Sequence, residues 1–131
     1  MLIVRHIKIT TATLKTETIS RLPPPEQTFE WPRQAAQEKN WAEAAIRWAV
    51  LRSAYPEHPA PWIQGAIAHI EAGDLEAADA LLAHARQRFP NHPDSLTESA
   101  RLAMHRKEWD EAEAYLQQAR EKHPENLQTW M

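Results

Sequence analysis

The feature of this sequence that most restricts its fold is an internal repeat with a constant period. Four columns recur at the same step in residue number: Trp41, Leu75 and Trp109; Pro56, Pro90 and Pro124; Trp62, Leu96 and Trp130; and Ala44, Ala78 and Ala112. A period of roughly 20–50 residues is typical of stacked repeats, in which each unit buries its apolar face against its neighbours. The sequence therefore predicts an array of similar units.

Each unit has the pattern of a helical hairpin. In the clearest copy, the pattern predicts a first helix over Pro59–Ala72 and a second helix over Leu75–Arg88. Gly73 can adopt the positive φ that ends a helix, and Asp74 can accept a hydrogen bond from a free N–H of the next one. Pro90 cannot continue the second helix. Two antiparallel helices joined by a short turn follow from these signals.

Composition agrees with an all-α fold. The chain has 131 residues, 43% of them apolar, and only two glycines, which favours one modest helical domain. The second helix of the clearest copy places apolar residues three or four apart, which predicts one buried stripe. In the preceding copy, Asn40 followed three residues later by Glu43 predicts a capping box.

These columns resemble those of the tetratricopeptide repeat family, whose units are about 34 residues long. The resemblance also includes Trp48, Leu82 and Leu116 in one column, and Ala85 and Ala119 in another. It implies an all-α right-handed superhelix of about three helix-turn-helix repeats, with the first helices lining the concave side. The copies would span residues 25–58, 59–92 and 93–126, and residues 127–131 would begin a fourth.

The first copy departs from the family pattern. Pro32 stands where the family has a small residue, Thr28 where it has a bulky one, and Leu51 where it has another small one. A proline inside a helix costs about 3 kcal/mol. We therefore expect the first helix of this copy to start at Pro32.

Residues 1–24 differ from the repeats. Residues 1–22 carry four basic residues and one acidic residue, whereas the whole chain has a net charge of −3. Ile, Val and Thr are frequent there and prefer strands. Three interpretations stay open: a disordered leader, a segment lying in a groove, or a strand paired with a second chain. We expect a non-helical leader that is extended or disordered.

Charge, cysteine content and hydropathy exclude several kinds of function. A net charge of −3 gives no basic field for nucleic acid, and no apolar run reaches the ~20 residues that a membrane span needs. No cysteine is present, which fits a reducing compartment and favours the cytoplasm without proving it. We find no nucleophile, metal or phosphate-binding motif. The sequence predicts no enzyme, no cofactor and no metal.

The tryptophans and histidines have structural interpretations. Five of the six tryptophans lie on the repeat columns or the buried stripe, so we expect core packing for Trp41, Trp48, Trp62, Trp109 and Trp130. Trp31, beside Pro32, is left open. His69 occupies a column that is often aromatic in the family, which favours a partly buried packing residue. His84 is expected on the polar side of its helix.

The resemblance implies a protein-interaction module, because first helices of this family bind peptides or helices on the concave side. Its usual groove positions select Phe29, Arg33, Ile63, Gln64, Ile67, Ile70, Glu71, Thr97, Glu98, Arg101, Met104 and His105. We expect an apolar centre that binds an apolar or amphipathic segment of another protein, as part of a larger scaffold. A secretion chaperone and a regulatory region of a transferase are the alternatives. Gln64 and Glu98 argue against the carboxylate clamp of chaperone-binding relatives.

The C-terminal edge predicts self-association. Each second helix in such an array is covered by the next first helix, and only residues 127–131 follow the third copy. The edge residues Trp109, Leu116, Ala119 and Trp130 should then be incompletely covered. We expect a homo-oligomer formed through this edge.

Overall fold

The structure of the protein, a computed structural model, describes residues 25–126. The expected leader and the residues that would open a fourth copy lie outside this range. The seven helices of the described part are α1 (Pro25–Thr28), α2 (Glu30–Gln37), α3 (Trp41–Ala54), α4 (Pro59–Ala72), α5 (Leu75–Arg88), α6 (Pro93–His105) and α7 (Trp109–Lys122).

The helices stack in chain order as antiparallel hairpins. From α2 to α7, each helix packs against the next, and the first helices α4 and α6 also contact each other. All regular structure within residues 25–126 is helical. The all-α helical-repeat fold predicted from the sequence is therefore confirmed.

The turn between the helices of each hairpin has the same backbone conformation in all three copies. Lys39, Gly73 and Lys107, which occupy the same column of the repeat, have φ values of 58°, 90° and 59°. After the first two turns, the side chains of Asn40 and Asp74 accept hydrogen bonds from the backbone N–H of Glu43 and Ala77. The predicted helix stop at Gly73 and both N-caps are confirmed.

The capping box predicted at Asn40 is only half formed. Asn40 caps the helix, but the carboxylate of Glu43 accepts a hydrogen bond from Arg47 Nε at 2.8 Å. A guanidinium one turn along the helix offers a charged partner, and such pairs stabilise helices. Glu43 therefore supports the helix surface instead of the helix start.

The first helix of the first copy does not start at Pro32 as predicted. A helical turn, α1, precedes it, and α2 starts at Glu30, with Phe29 between them in a helical backbone conformation. Pro32 then lies in the first turn of α2, where a backbone N–H is not required for the helix. The neighbouring N–H of Arg33 still donates to the carbonyl of Phe29, so the proline omits only the bond that its own N–H would make.

Two clusters of buried side chains form the core. The first joins α2, α3 and α4 around Phe29 and Trp48, which is 2% exposed. Their rings meet edge-to-face with centroids 5.3 Å apart. The second cluster joins α4, α5 and α6 around Ile70, Leu82 and Leu102. The core thus runs along the stack between successive hairpins.

The tryptophans are buried to different extents. Trp48 is in the core, and Trp31 and Trp41 pack against it half-buried. Trp62 is half-buried too, stacks on His84 at 3.8 Å between ring centroids, and donates to the carbonyl of Pro56. The core interpretation of Trp109 is wrong, because 61% of this residue is exposed. Within residues 25–126, no helix follows α7 to cover it.

Candidate functional site

The first helices expose the same three repeat columns in each copy. We call this strip the first-helix surface, and it consists of Glu30, Arg33 and Gln37 on α2, Gln64, Ile67 and Glu71 on α4, and Glu98, Arg101 and His105 on α6. All nine side chains are exposed or half-buried. Their spacing of three, four and seven positions places them on one side of each helix.

Three residues expected in the groove lie in the core instead. Phe29, Ile63 and Ile70 are each only 2% exposed. With 3.6 residues per turn, Ile67 is rotated only about 40° from Ile63, so it lies at the margin and is half-buried. The centre of the first-helix surface therefore has one accessible isoleucine, and the expectation of an apolar centre was too broad.

Repeat columns explain why these side chains are buried. Ile63 and Ile70 correspond to Thr97 and Met104 in the next copy. Thr97 is half-buried and Met104 is 41% exposed. The helix α6 packs beside α4, whereas no helix within residues 25–126 packs in this way beside α6 on its other side. Ile70 shares a core cluster with Leu102 of α6, so its burial reflects the contact between these neighbouring first helices.

Ion pairs connect the exposed columns of α4 and α6. Arg101 on α6 pairs with Glu71 on α4, and its Nη1 lies 3.1 Å from Glu98 Oε1. In the first copy, Arg33 Nη1 lies 3.6 Å from Glu30 Oε1. The structure thus brings Glu71, Glu98 and Arg101 together across two helices. It makes α4 and α6 present one continuous surface.

Burial changes the acidity of one residue in this network. The side chain of Glu98 is 20% exposed, and its burial raises its pKa above the ordinary value of 4.5, against the opposing effect of Arg101. Desolvation disfavours the carboxylate form, which is why the pKa rises. Burying the ionised form of Glu98 therefore makes an unfavourable contribution to the free energy of folding.

The C-terminal edge has the uneven burial that an open end should have. Trp109 is 61% exposed, Leu116 is half-buried, and Ala119 is buried. Trp41 and Leu75, in the column of Trp109, are half-buried because they pack against the core clusters. Trp130 lies outside the described residues. Met104, near the end of α6, and Trp109, at the start of α7, are large apolar residues left exposed here, and we call them the apolar rim.

Sequence reasoning missed an exposed isoleucine on α3. Ile46 is 59% exposed and lies beside Ala42 and Ala49 in an open cleft between α3 and the end of α4. A comparison of the second helices column by column would have found it. The signal is a missing charge on this side of α3, because Ala42 stands where α5 and α7 have the acidic residues Glu76 and Asp110.

Two other kinds of site are not found within residues 25–126. That part of the chain contains no group of three or more His, Cys, Asp or Glu side chains arranged to hold a metal ion. None of its helices has both the length and the hydropathy needed to cross a membrane.

Comparison with known proteins agrees with the repeat columns. Residues 69–131 match the family model of the tetratricopeptide repeat. No curated protein matches the chain significantly. The match begins inside α4 and covers the second helix of one hairpin and the whole of the next. Repeats of this family are typically interaction modules without catalytic residues. By this match, residues 69–131 carry tetratricopeptide repeats, and by its fold and repeat columns the rest of the described chain is similar to this family.

Proposed function

We propose that the first-helix surface binds an amphipathic segment of another protein. Ile67 is the apolar centre of this surface and lies between Arg33 and Arg101, which occupy its own column in the neighbouring copies. The observation that carries the proposal is the ion pair between Arg101 and Glu71, because it joins α4 and α6 into one surface. Such a binding role suits one part of a larger scaffold.

The chemistry of the surface favours an amphipathic segment over a purely apolar one. Apart from Ile67, its members are charged or polar. A partner that places one apolar side chain over Ile67 and polar groups on both sides would leave no charge unpaired in the contact. A free C-terminal carboxylate suits the surface less well, since Arg33 and Arg101 already pair with Glu30 and Glu98.

A displayed library of peptides is the test of this proposal. Peptides selected on the full-length protein should bind the Ile67→Asp variant at least roughly tenfold more weakly, since a buried apolar contact is lost. Calorimetry measures the affinity. Ala80→Asp, on the exposed side of α5, is the matched control and should leave the affinity unchanged.

Two results would contradict the proposal. One is a set of selected peptides that bind Ile67→Asp as tightly as the parent protein. The other is an equal loss for Ala80→Asp, which would mean that charge alone changes the affinity. Thermal melting must show both variants to be folded, and Ile67→Ser replaces Ile67→Asp where the charged variant does not fold.

Self-association is the second proposed interaction. It uses the apolar rim of the C-terminal edge, where Met104 and Trp109 are exposed and Leu116 is half-buried. The first copy is different within the described residues, because its Gln27, Gln34 and Glu38 are polar and exposed. Two equal apolar edges therefore match each other better than an edge matches the first copy. A two-fold dimer is the resulting assembly.

A further inference from the structure

The outward side of α3 differs from the same side of the other second helices. The residues in four equivalent columns are Ala42, Ile46, Ala49 and Ser53 on α3, Glu76, Ala80, Ala83 and Gln87 on α5, and Asp110, Ala114, Gln117 and Glu121 on α7, all of them exposed. Only α3 of these three lacks a charged residue there, and it alone carries a large apolar one. Ile46 is 59% exposed.

The junction beside this side of α3 is also more open than its counterpart. Between α5 and α6, Arg106 extends across the junction, with Nη1 3.2 Å from Asp79 Oδ2. The residues at the corresponding positions between α3 and α4 are Ala72 and Ala45. No long side chain from these two positions fills that space. An open cleft of about 350 Å³ results, which Ile46 borders.

The end of the cleft carries a negative charge. Asp74 lines it, and the side chain of Asp74 is 58% exposed. The neighbouring His69 Nδ1 lies 3.9 Å from Asp74 Oδ2. Burial lowers the pKa of His69, against the raising effect of Asp74, and so favours the neutral ring, which does not balance this charge. The cleft therefore suits an apolar segment that also carries a positive charge.

From these features we infer that the cleft between α3 and α4 binds the N-terminal segment of this same chain, residues 1–9. That segment contains Met, Leu, Val and three Ile residues together with Arg5 and Lys8, so it provides both apolar side chains and positive charge. Residues 1–22 are basic as a whole, and the rest of the chain is acidic. This interaction is separate from the first-helix surface and does not depend on it.

Chain length allows the contact. Helix α3 belongs to the first copy, and the described chain begins at Pro25, only a short way before α3 starts at Trp41. An extended chain spans up to about 3.3–3.6 Å per residue, so the preceding residues can reach well beyond the length of one helix of this size, roughly 20 Å. Because the segment is tethered, its high effective concentration favours even a weak contact.

Spin labelling of the full-length protein tests the inference. The chain has no cysteine, so Thr10→Cys provides a single attachment point for a nitroxide label. The expected result is strong broadening of the amide NMR signals of Ala42, Ile46, Ala49 and Ala72, and none at Arg101 or His105. Adding Ile46→Asp should decrease the equilibrium constant for docking roughly tenfold and restore these signals.

Controls separate the competing outcomes. Ala80→Asp changes the same column in the next copy and should leave the broadening unchanged. Because Ile46 and Ala80 are exposed, both variants should fold. Broadening on α4 and α6 near Ile67 instead would place the segment on the first-helix surface and overturn the inference.

Two more results would also overturn it. One is the absence of broadening on α3. The other comes from mixing isotope-labelled protein without a spin label with spin-labelled protein without isotopes. If the signals broaden as much in this mixture as within one chain, the contact is between copies. Peptide binding at Ile67 is measured separately, so a failure of the proposed docking on α3 and a failure of peptide binding remain distinguishable.

Discussion

Equivalent residues in the three turns share one backbone conformation. Lys39 and Lys107 have the left-handed conformation that glycine has at Gly73. The sequence predicted this conformation only at Gly73, because glycine alone reaches positive φ without steric cost. At the two lysines, no local signal indicates it. Only the repeat period, counted from Gly73 in both directions, would have identified them.

Replacing Lys107 with glycine should stabilise the protein. The left-handed conformation costs an L-residue roughly 1–2 kcal/mol, and glycine removes this cost. Glycine also has greater freedom in the unfolded chain, which offsets part of the gain, so we expect the free energy of unfolding to rise by about 0.5–1 kcal/mol. Urea denaturation measures the change. Gly73→Ala is the reverse control and should destabilise by about 1 kcal/mol, since its Cβ would meet nothing within 4 Å but its φ is 90°. A loss of stability for Lys107→Gly would contradict this explanation.

The raised pKa of Glu98 predicts a pH dependence. A carboxyl group whose pKa is raised by folding stabilises the fold below its ordinary value of 4.5, and that contribution is lost as the pH rises through the raised pKa. Glu98→Gln stays neutral at every pH. Relative to the parent protein, this variant should therefore gain stability as the pH rises from below 4.5 towards neutrality.

Thermal unfolding across this pH range measures the effect. Glu121→Gln, which removes an exposed carboxylate from α7, corrects for the change in net charge. A difference between Glu98→Gln and the parent that does not vary with pH would mean that the ion pair with Arg101 offsets the cost of burial.

At the scale of helices, local sequence signals decided which bounds could be predicted. The bounds of α4 and α5 were predicted correctly, because Gly73, Asp74 and Pro90 mark where these helices begin and end. The start of α2 was not, because the backbone is already helical before Pro32, at Phe29, whereas the prediction relied on the proline alone as the start signal. Sequence periodicity shows which residues share a side of a helix. It does not show which side a neighbouring helix covers, and so Ile63 and Ile70 were expected to be accessible.

Equivalent residues on α5 and α7 should differ in their effect on stability. Leu82 and Leu116 share a column, but Leu82 is fully buried and Leu116 is half-buried. We expect Leu82→Ala to cost about 2–5 kcal/mol, and Leu116→Ala roughly 1 kcal/mol because less apolar surface is lost. Urea denaturation of the two variants gives the comparison. Equal costs would show that Leu116 is packed as fully as Leu82. This would contradict the idea that the C-terminal edge is incompletely covered.

For the whole molecule, the repeat columns predicted the order and stacking of the helices, because they report contacts that every copy repeats. They also predicted an incompletely covered end. They did not identify the cleft beside Ile46, which exists through a difference between copies. Features that are shared by the copies were therefore predictable, and features of one junction required the three-dimensional structure.

Self-association through the C-terminal edge should depend on Trp109. This side chain is 61% exposed, and exposed apolar patches usually mark contacts between proteins. Light scattering over a concentration series should show a rising mass for the parent protein and a constant mass for Trp109→Ser. Ile46→Ser, another exposed apolar residue outside the edge, is the control. A monomer at every concentration would remove the proposed dimer.

Within residues 25–126, the uneven covering of the third hairpin predicts which of α4, α5 and α7 opens first. In a linear stack, each copy is stabilised mainly by its neighbours, so a copy with one covered side has less to lose when it unfolds locally. Helices α4 and α5, with a hairpin on either side, should exchange their amide hydrogens slowly, and α7 should exchange fastest among the three. Within residues 25–126, local opening would then proceed from α7 towards α4, and the exposed Trp109 lies where it begins.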